Sequence, residues 1–231
     1  MGVPALVLVH SPLVGPRSWG AVAEELRRGG REVAVPSLVN AVLSSAPLHR
    51  ALAGAVAAAL PEAGRLVLVV HSGAGALVPS IVDAVPSRVD GVVFVDATLP
   101  HPGRAWMEAV PPETADEVRG MAGPDGLLPK WHEWFPPQVL DELVPDEQVR
   151  AEFRADVPRL PLRYLEEVAP RSTGWQNLRC GYVQLSAAYE APAAEARRAG
   201  WPVVRVDGTH LSAVTEPAAV AGAVAGMVEA L

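Results

Sequence analysis

Six short runs of β-branched and other apolar residues recur along the chain, at 5–9, 32–35, 66–70, 91–95, 181–185 and 202–206. Each is almost continuously apolar, which is how strands buried on both faces of a parallel sheet read. Helical signals fill the intervals. Residues 18–28 place Trp19, Val22, Ala23 and Leu26 on one face and Glu24, Glu25, Arg27 and Arg28 elsewhere, and Gly29-Gly30 then supply a stop. The stretch 48–60 is Ala-rich, 73–85 follows the third run, and 193–199 and 216–231 flank the last. This alternation predicts an α/β fold, a three-layer sandwich around a mainly parallel sheet, with right-handed crossovers.

One segment breaks the pattern. Residues 99–178 contain no clear buried strand but hold Trp106, Trp131, Trp134 and Trp175, with helical pieces expected near 114–121, 137–143 and 146–153. The reading is an α/β core of residues 1–98 and 179–231 with a helical lid or cap insertion at 99–178. The alternative is a peripheral helical layer that only covers the sheet.

Composition sharpens this. The chain has 23 Pro and 20 Gly in 231 residues, which alone would suggest low complexity, yet 50% of residues are hydrophobic. The prolines sit at edges: Pro36 after a strand, Pro61 and Pro86 after helices, Pro202 opening a strand, and Pro12 and Pro16 in the loop after the first run. They punctuate a packed core. A single cysteine, Cys180, rules out an internal disulfide framework and fits a reducing compartment. The net charge of −7 argues against nucleic acid and anionic membrane surfaces as partners. The opening MGVPALVLVH reads as a strand without a basic leader region, and the quiet stretch 217–231 is too short for a membrane span, so a cytoplasmic location is expected. No dinucleotide fingerprint, phosphate loop or metal-spaced cluster is present, so neither cofactor nor metal is expected. The expected partner is a small-molecule substrate; homo-oligomerisation stays open.

The chemistry starts at Ser72. In LVLVVHSGAGALV it lies directly after a buried run and directly before a helical stretch, among Gly73, Ala74 and Gly75. A sharp strand-to-helix turn needs small neighbours, and it would expose the hydroxyl at the carboxyl end of the sheet, beside the free N–H groups of a helix start. A simple helix N-cap serine is the alternative. A serine hydroxyl needs a base to take its proton. His210 is the candidate, in a Gly208-Thr209-His210 loop between the last strand and the last helix. His71 adjoins the serine and is expected to point away from it; His49 and His132 read as surface or lid residues.

Three segments together resemble the α/β-hydrolase superfamily: LVLVHSPLVGPRSW, Val70-His71-Ser72-Gly73-Ala74-Gly75, and VVRVDGTHLSAVTEPAAVAGAV. They cover nearly the whole chain outside the insertion. The family's Gly-x-Ser-x-Gly motif is altered, with Val70 and Ala74 in place of its glycines. The chain is most similar to the compact branch of plant-type hydroxynitrile lyases and methylesterases. The resemblance implies a Ser72 nucleophile, a His210 base, and an acid later in the chain than the serine. The usual acid position, after the run 181–185, holds no Asp; Glu190 lies nearby. The family's other position, at the end of the preceding strand, holds Asp96, which is the first choice, with Glu190 the alternative and Asp207 the remaining candidate. His10 falls where the family has a structural histidine.

The resemblance also implies two oxyanion donors. One is the N–H of Gly73. The other should follow His10-Ser11, but Pro12 stands there and proline has no N–H. Either Leu13 donates through a shifted loop or the Ser11 hydroxyl does; the lyase branch has a hydroxyl residue at that place. His101, Trp106, Trp131, Trp134 and Phe135 are expected to line the substrate pocket. The leading expectation is a serine hydrolase of a small, largely apolar ester, thioester or lactone. The runner-up is a lyase or cyclase using the same groups as acid and base; a non-catalytic ligand receptor is a third class.

Overall fold

In the computed structural model, which describes residues 3–61, 64–86 and 88–231, the expected runs become β1 (Ala5–Val9), β2 (Val33–Ala34), β3 (Leu66–Ser72), β4 (Val89–Ala97), β5 (Arg179–Gln184) and β6 (Val203–Arg205). They form one sheet in the order β2-β1-β3-β4-β5-β6, each neighbouring pair parallel. The helices are α1 (Arg17–Arg28), α2 (Leu48–Ala58), α3 (Val78–Ala84), α4 (Trp106–Ala109), α5 (Pro112–Met121), α6 (Pro137–Leu143), α7 (Glu147–Ala155), α8 (Leu162–Glu166), α9 (Glu190–Arg198), α10 (Ser212–Thr215) and α11 (Pro217–Ala230).

The continuous apolar strands have their physical reason in two cores. Ala5, Val7 and Val9 face one side with Leu66, Leu68, Val70, Val92 and Phe94, packed under α2 and α3. Leu6 and Leu8 face the other with Val67, Val69, Val93 and Val95, packed under α1 and α11. Both faces of β1, β3 and β4 are therefore dry, and no alternation of polar residues survives in them. Each fully buried Val or Leu contributes about 1.5–3 kcal/mol of transfer free energy.

Residues 73–85 were expected as one helix. Instead Gly73–Leu77 make a 3-10 turn and the α-helix begins at Val78. Pro79 explains the break: it has no N–H for the carbonyl of Gly75, and its ring would collide with that carbonyl in an α-helix.

The segment 99–178 carries α4–α8, of which α4 and α8 had no expectation. Its α6 and α7 pack Leu140, Val144 and Phe153, with Val157 just beyond, onto Val14 and Leu211, which belong to the loops after β1 and β6. Two carboxylates tie it to the core. Helices α1 and α2 both start behind a proline, Pro16 and Pro47, which has no side chain to cap them. Asp156 accepts from the Arg17 amide at 3.0 Å, and Glu167 accepts from the Leu48 and His49 amides at 2.6 and 2.9 Å. Such a cap contributes about 1 kcal/mol.

Candidate active site

The chain runs outward from β1 to β2 and then returns to place β3 on the other side of β1. At such a reversal the loops beyond the carboxyl ends of the two strands part and leave a crevice. Ser72 ends β3 and Ser11 follows β1, so both lie at its mouth.

Ser72 adopts φ 56° and ψ −128°, a left-handed conformation that costs a non-glycine residue energy and that functional sites retain. The turn holds because its neighbours are small. A Cβ on Gly75 would fall 1.8 Å from the Thr98 carbonyl oxygen, and one on Gly73 would lie 3.0 Å from Ser11 Oγ. The closest backbone approach is thus at Gly75, and Ala74 is accommodated in the core.

His210 Nε2 lies 3.1 Å from Ser72 Oγ, and His210 Nδ1 lies 2.9 Å from Asp96 Oδ2. Asp96 is fully buried at the end of β4. A register shift there pairs His71 with Val95 and Ser72 with Ala97, leaving Asp96 as the extra residue of a bulge, at φ 41°. A bulge re-aims one side chain. The Tyr182 hydroxyl braces it, accepting from the Ala97 amide and donating to the Ala97 carbonyl. Asp96 Oδ1 accepts from the amides of Leu185 and Ser186 at 2.8 and 3.0 Å, and Oδ2 accepts from the Ser186 hydroxyl at 2.6 Å. Burial pushes this carboxyl up, but the bonds from His210, Ser186 and Leu185 outweigh it and hold the carboxyl below its ordinary value.

Of the other acids, Glu190 is paired with Gln184 and Arg197, and Asp207 with Arg205, both on the surface. Neither bonds to His210. The Glu190 alternative therefore has no geometric support.

The loop after β1 is pinned by His10. Its Nδ1–H donates to the Ser11 carbonyl at 2.8 Å and its Nε2 accepts from the Leu38 amide at 3.0 Å. Burial holds its pKa down at about 4, so it is neutral and structural. The Leu13 amide donates to Ser11 Oγ at 3.3 Å and the Val14 amide to the Ser11 carbonyl at 3.1 Å. The Leu13 N–H is thus directed at Ser11 Oγ.

His71 is directed at the loop that carries His210. Its ring stacks on His210 with centroids 4.6 Å apart, and its Nε2–H donates to the His210 carbonyl at 3.1 Å. Burial pushes its pKa down to about 3, so it is an uncharged brace for the loop that carries His210. His49 is not a surface residue either; it is buried on α2 against Tyr164. Two residues had no sequence expectation at all. One is Ser186, on Asp96. The other is Tyr189, whose hydroxyl lies 3.2 Å from Ser72 Oγ and whose ring lies parallel to His210 at 4.7 Å. The one available signal was their place, in the loop after β5 where a triad acid was sought.

The narrow crevice over Ser72 is walled by Leu13, Val14, Leu211 and Trp131. Trp131 alone of the five expected pocket residues is among those lining it. Trp106 and Trp134 pack against the main core, Trp134 donating to the Pro129 carbonyl. Phe135 packs edge-on against Trp131 and is 43% exposed, and His101 Nδ1 faces the Arg104 carbonyl. Among the described residues no group of His, Cys, Asp and Glu could hold a metal ion, and no helix is long and apolar enough to cross a membrane.

No protein-family model matches the chain. An extracellular α/β-hydrolase from a Paenibacillus species, described as sharing structural and functional homology with tobacco salicylic acid binding protein 2, superposes with a TM-score of 0.75. It is 18% identical, with 97% of this chain and 99% of that one covered. The fold is that of the α/β-hydrolases. Tomato methylketone synthase I, in complex with 2-tridecanone, shares this α/β-hydrolase fold at a TM-score of 0.73 and 17% identity, over 99% of both chains. In sequence, the rice (Oryza sativa subsp. japonica) esterase PIR7B is 34% identical over 131 residues, 53% of this chain and 47% of the rice protein. The chain thus spans about half the length of the curated relative it matches.

Proposed function

We propose that this chain is a serine esterase, acting on a small, largely apolar ester, thioester or lactone. The observation that supports it is the hydrogen-bond line from Ser72 through His210 to the buried Asp96. With Nδ1–H donated to Asp96, His210 Nε2 is left as the acceptor for the Ser72 proton. Ser72 Oγ then attacks the carbonyl carbon, His210 returns the proton to the leaving oxygen, and water repeats the sequence on the acyl-enzyme. The rice relative, an esterase by name, points the same way. The wall over Ser72, built from Leu13, Val14, Trp131 and Leu211, is apolar, which favours an uncharged acyl group over a charged one. Helices α6 and α7, seated on Val14 and Leu211, act as the lid.

The oxyanion site in this reading is the Gly73 amide and the Ser11 hydroxyl. Ser11 Oγ accepts from Leu13, so its own proton is free to face an incoming oxygen. Ser11→Ala is expected to lower kcat by about 100-fold with little change in KM, because the bond forms fully only in the tetrahedral state; unchanged kcat would remove Ser11 from the site.

The same oxyanion loop favours a second reading. A hydroxyl that can both give and take a hydrogen bond suits elimination or cyclisation by acid–base chemistry without an acyl-enzyme. A fluorophosphonate separates the two. The esterase reading expects a stoichiometric adduct on Ser72, located by peptide mass spectrometry, together with turnover in a panel of short esters. A folded protein that takes no adduct and turns over no ester decides against it.

A further inference from the structure

We propose that Tyr189 is a further catalytic residue, whose phenol donates a hydrogen bond to the leaving-group oxygen of the ester; this rests on the esterase reading above. Among the described residues Ser72 Oγ has two hydrogen-bond partners, His210 Nε2 at 3.1 Å and Tyr189 Oη at 3.2 Å. It has one proton. Because His210 Nδ1–H is held by Asp96, that proton goes to Nε2, and Tyr189 must be the donor in its own contact with Ser72. Burial raises the phenol further above its ordinary value, so it remains protonated through the cycle.

The position of the ring selects which oxygen it serves. The carbonyl oxygen belongs on the side where Gly73 and Ser11 converge. The leaving oxygen belongs at His210 Nε2, the nitrogen that returns its proton. Tyr189 lies parallel to the His210 ring, 4° from coplanar orientation and 4.7 Å away, with its hydroxyl reaching the same Ser72 oxygen. When the acyl carbon occupies Ser72 Oγ, the phenol O–H loses that acceptor and turns to the departing alkoxide beside Nε2. The C–OR bond breaks, the alkoxide takes its proton from His210, and Tyr189 keeps its own. The ring face also lies along the imidazolium that forms in the transition state. A phenylalanine would preserve that face and remove only the hydroxyl.

The test is a leaving-group series on one acyl group, from a 4-nitrophenyl ester to simple alkyl esters, with the wild-type protein and Tyr189→Phe. The variant should lose about 10- to 100-fold in kcat/KM on the alkyl esters, whose leaving oxygen carries most charge, and less than about 3-fold on the nitrophenyl ester. Its Ser72 should still be labelled to completion by the fluorophosphonate, and its thermal midpoint should stay within a few degrees of wild type, because Ser72, His210 and the aromatic ring are all retained. An equal loss across the series, or none, overturns the role while leaving the esterase reading standing. A wild-type protein inert to both the series and the fluorophosphonate overturns the two together.

Discussion

Replacement of Ser72 by alanine should lower ester turnover by roughly ten-thousand- to a million-fold. Among the described residues no other hydroxyl is hydrogen-bonded to His210 Nε2, so none of them is placed to inherit the proton transfer. The loss should appear in kcat, with KM nearly unchanged, because the crevice wall of Leu13, Trp131 and Leu211 is untouched. The fold should persist. Alanine fits wherever serine does, the turn's close contact is at Gly75, and the left-handed conformation is no worse for one residue than for the other. Thermal unfolding within a few degrees of wild type, with hydrolysis of a short nitrophenyl ester gone and no fluorophosphonate adduct, is the expected pattern. Retention of more than about a tenth of the turnover would mean that no acyl-enzyme forms, and the acid–base reading would take over.

What could be read from the sequence, and what could not, divides on one physical line. The strands were legible because both faces of β1, β3 and β4 are dry, so their burial is written as unbroken Val and Leu. The strand-to-helix turn at Ser72 was legible because crowding admits only small residues there. The missing N–H of Pro12 was legible because it is a property of the residue alone. By contrast, His71 stacks on His210, Tyr189 reaches Ser72, and Glu167 caps α2 through contacts between residues distant in the chain. No local pattern encodes these. Position also matters: that Asp96 and not Glu190 bonds to His210 follows from a β-bulge in β4, a one-residue slip that leaves no compositional mark. Trp106 and Trp134 of the segment 99–178 read from the sequence as pocket residues, whereas both pack, partly buried, against the main core and neither lines the crevice over Ser72. An aromatic residue carries the same signal in either place.

Changing Asp96 to asparagine should cost about a thousand- to ten-thousand-fold in kcat while leaving the protein folded. The argument is one of orientation. Asp96 Oδ1 accepts from two backbone amides, those of Leu185 and Ser186, which cannot turn away. An asparagine must therefore keep its carbonyl oxygen at that position, and its NH2 group falls where Oδ2 now meets His210 Nδ1. The NH2 donates, so Nδ1 must accept, and the imidazole proton moves to Nε2. In that tautomer Nε2 can no longer take the Ser72 proton. The Ser186 hydroxyl, now donating at 2.6 Å, can rotate to accept, so no buried donor is stranded. Glu190→Gln, at an exposed pair with Arg197, should change kcat less than twofold. The acid limb of stability gives a second readout. Asp96 stays ionised to lower pH in the fold than in the unfolded chain, so its stabilisation is complete above about pH 4 and fades as pH falls below that. The asparagine variant lacks this contribution, and its unfolding midpoint should vary less over that range. If Glu190→Gln proved the more damaging of the two, the acid would lie on the loop after β5 and not at the bulge in β4.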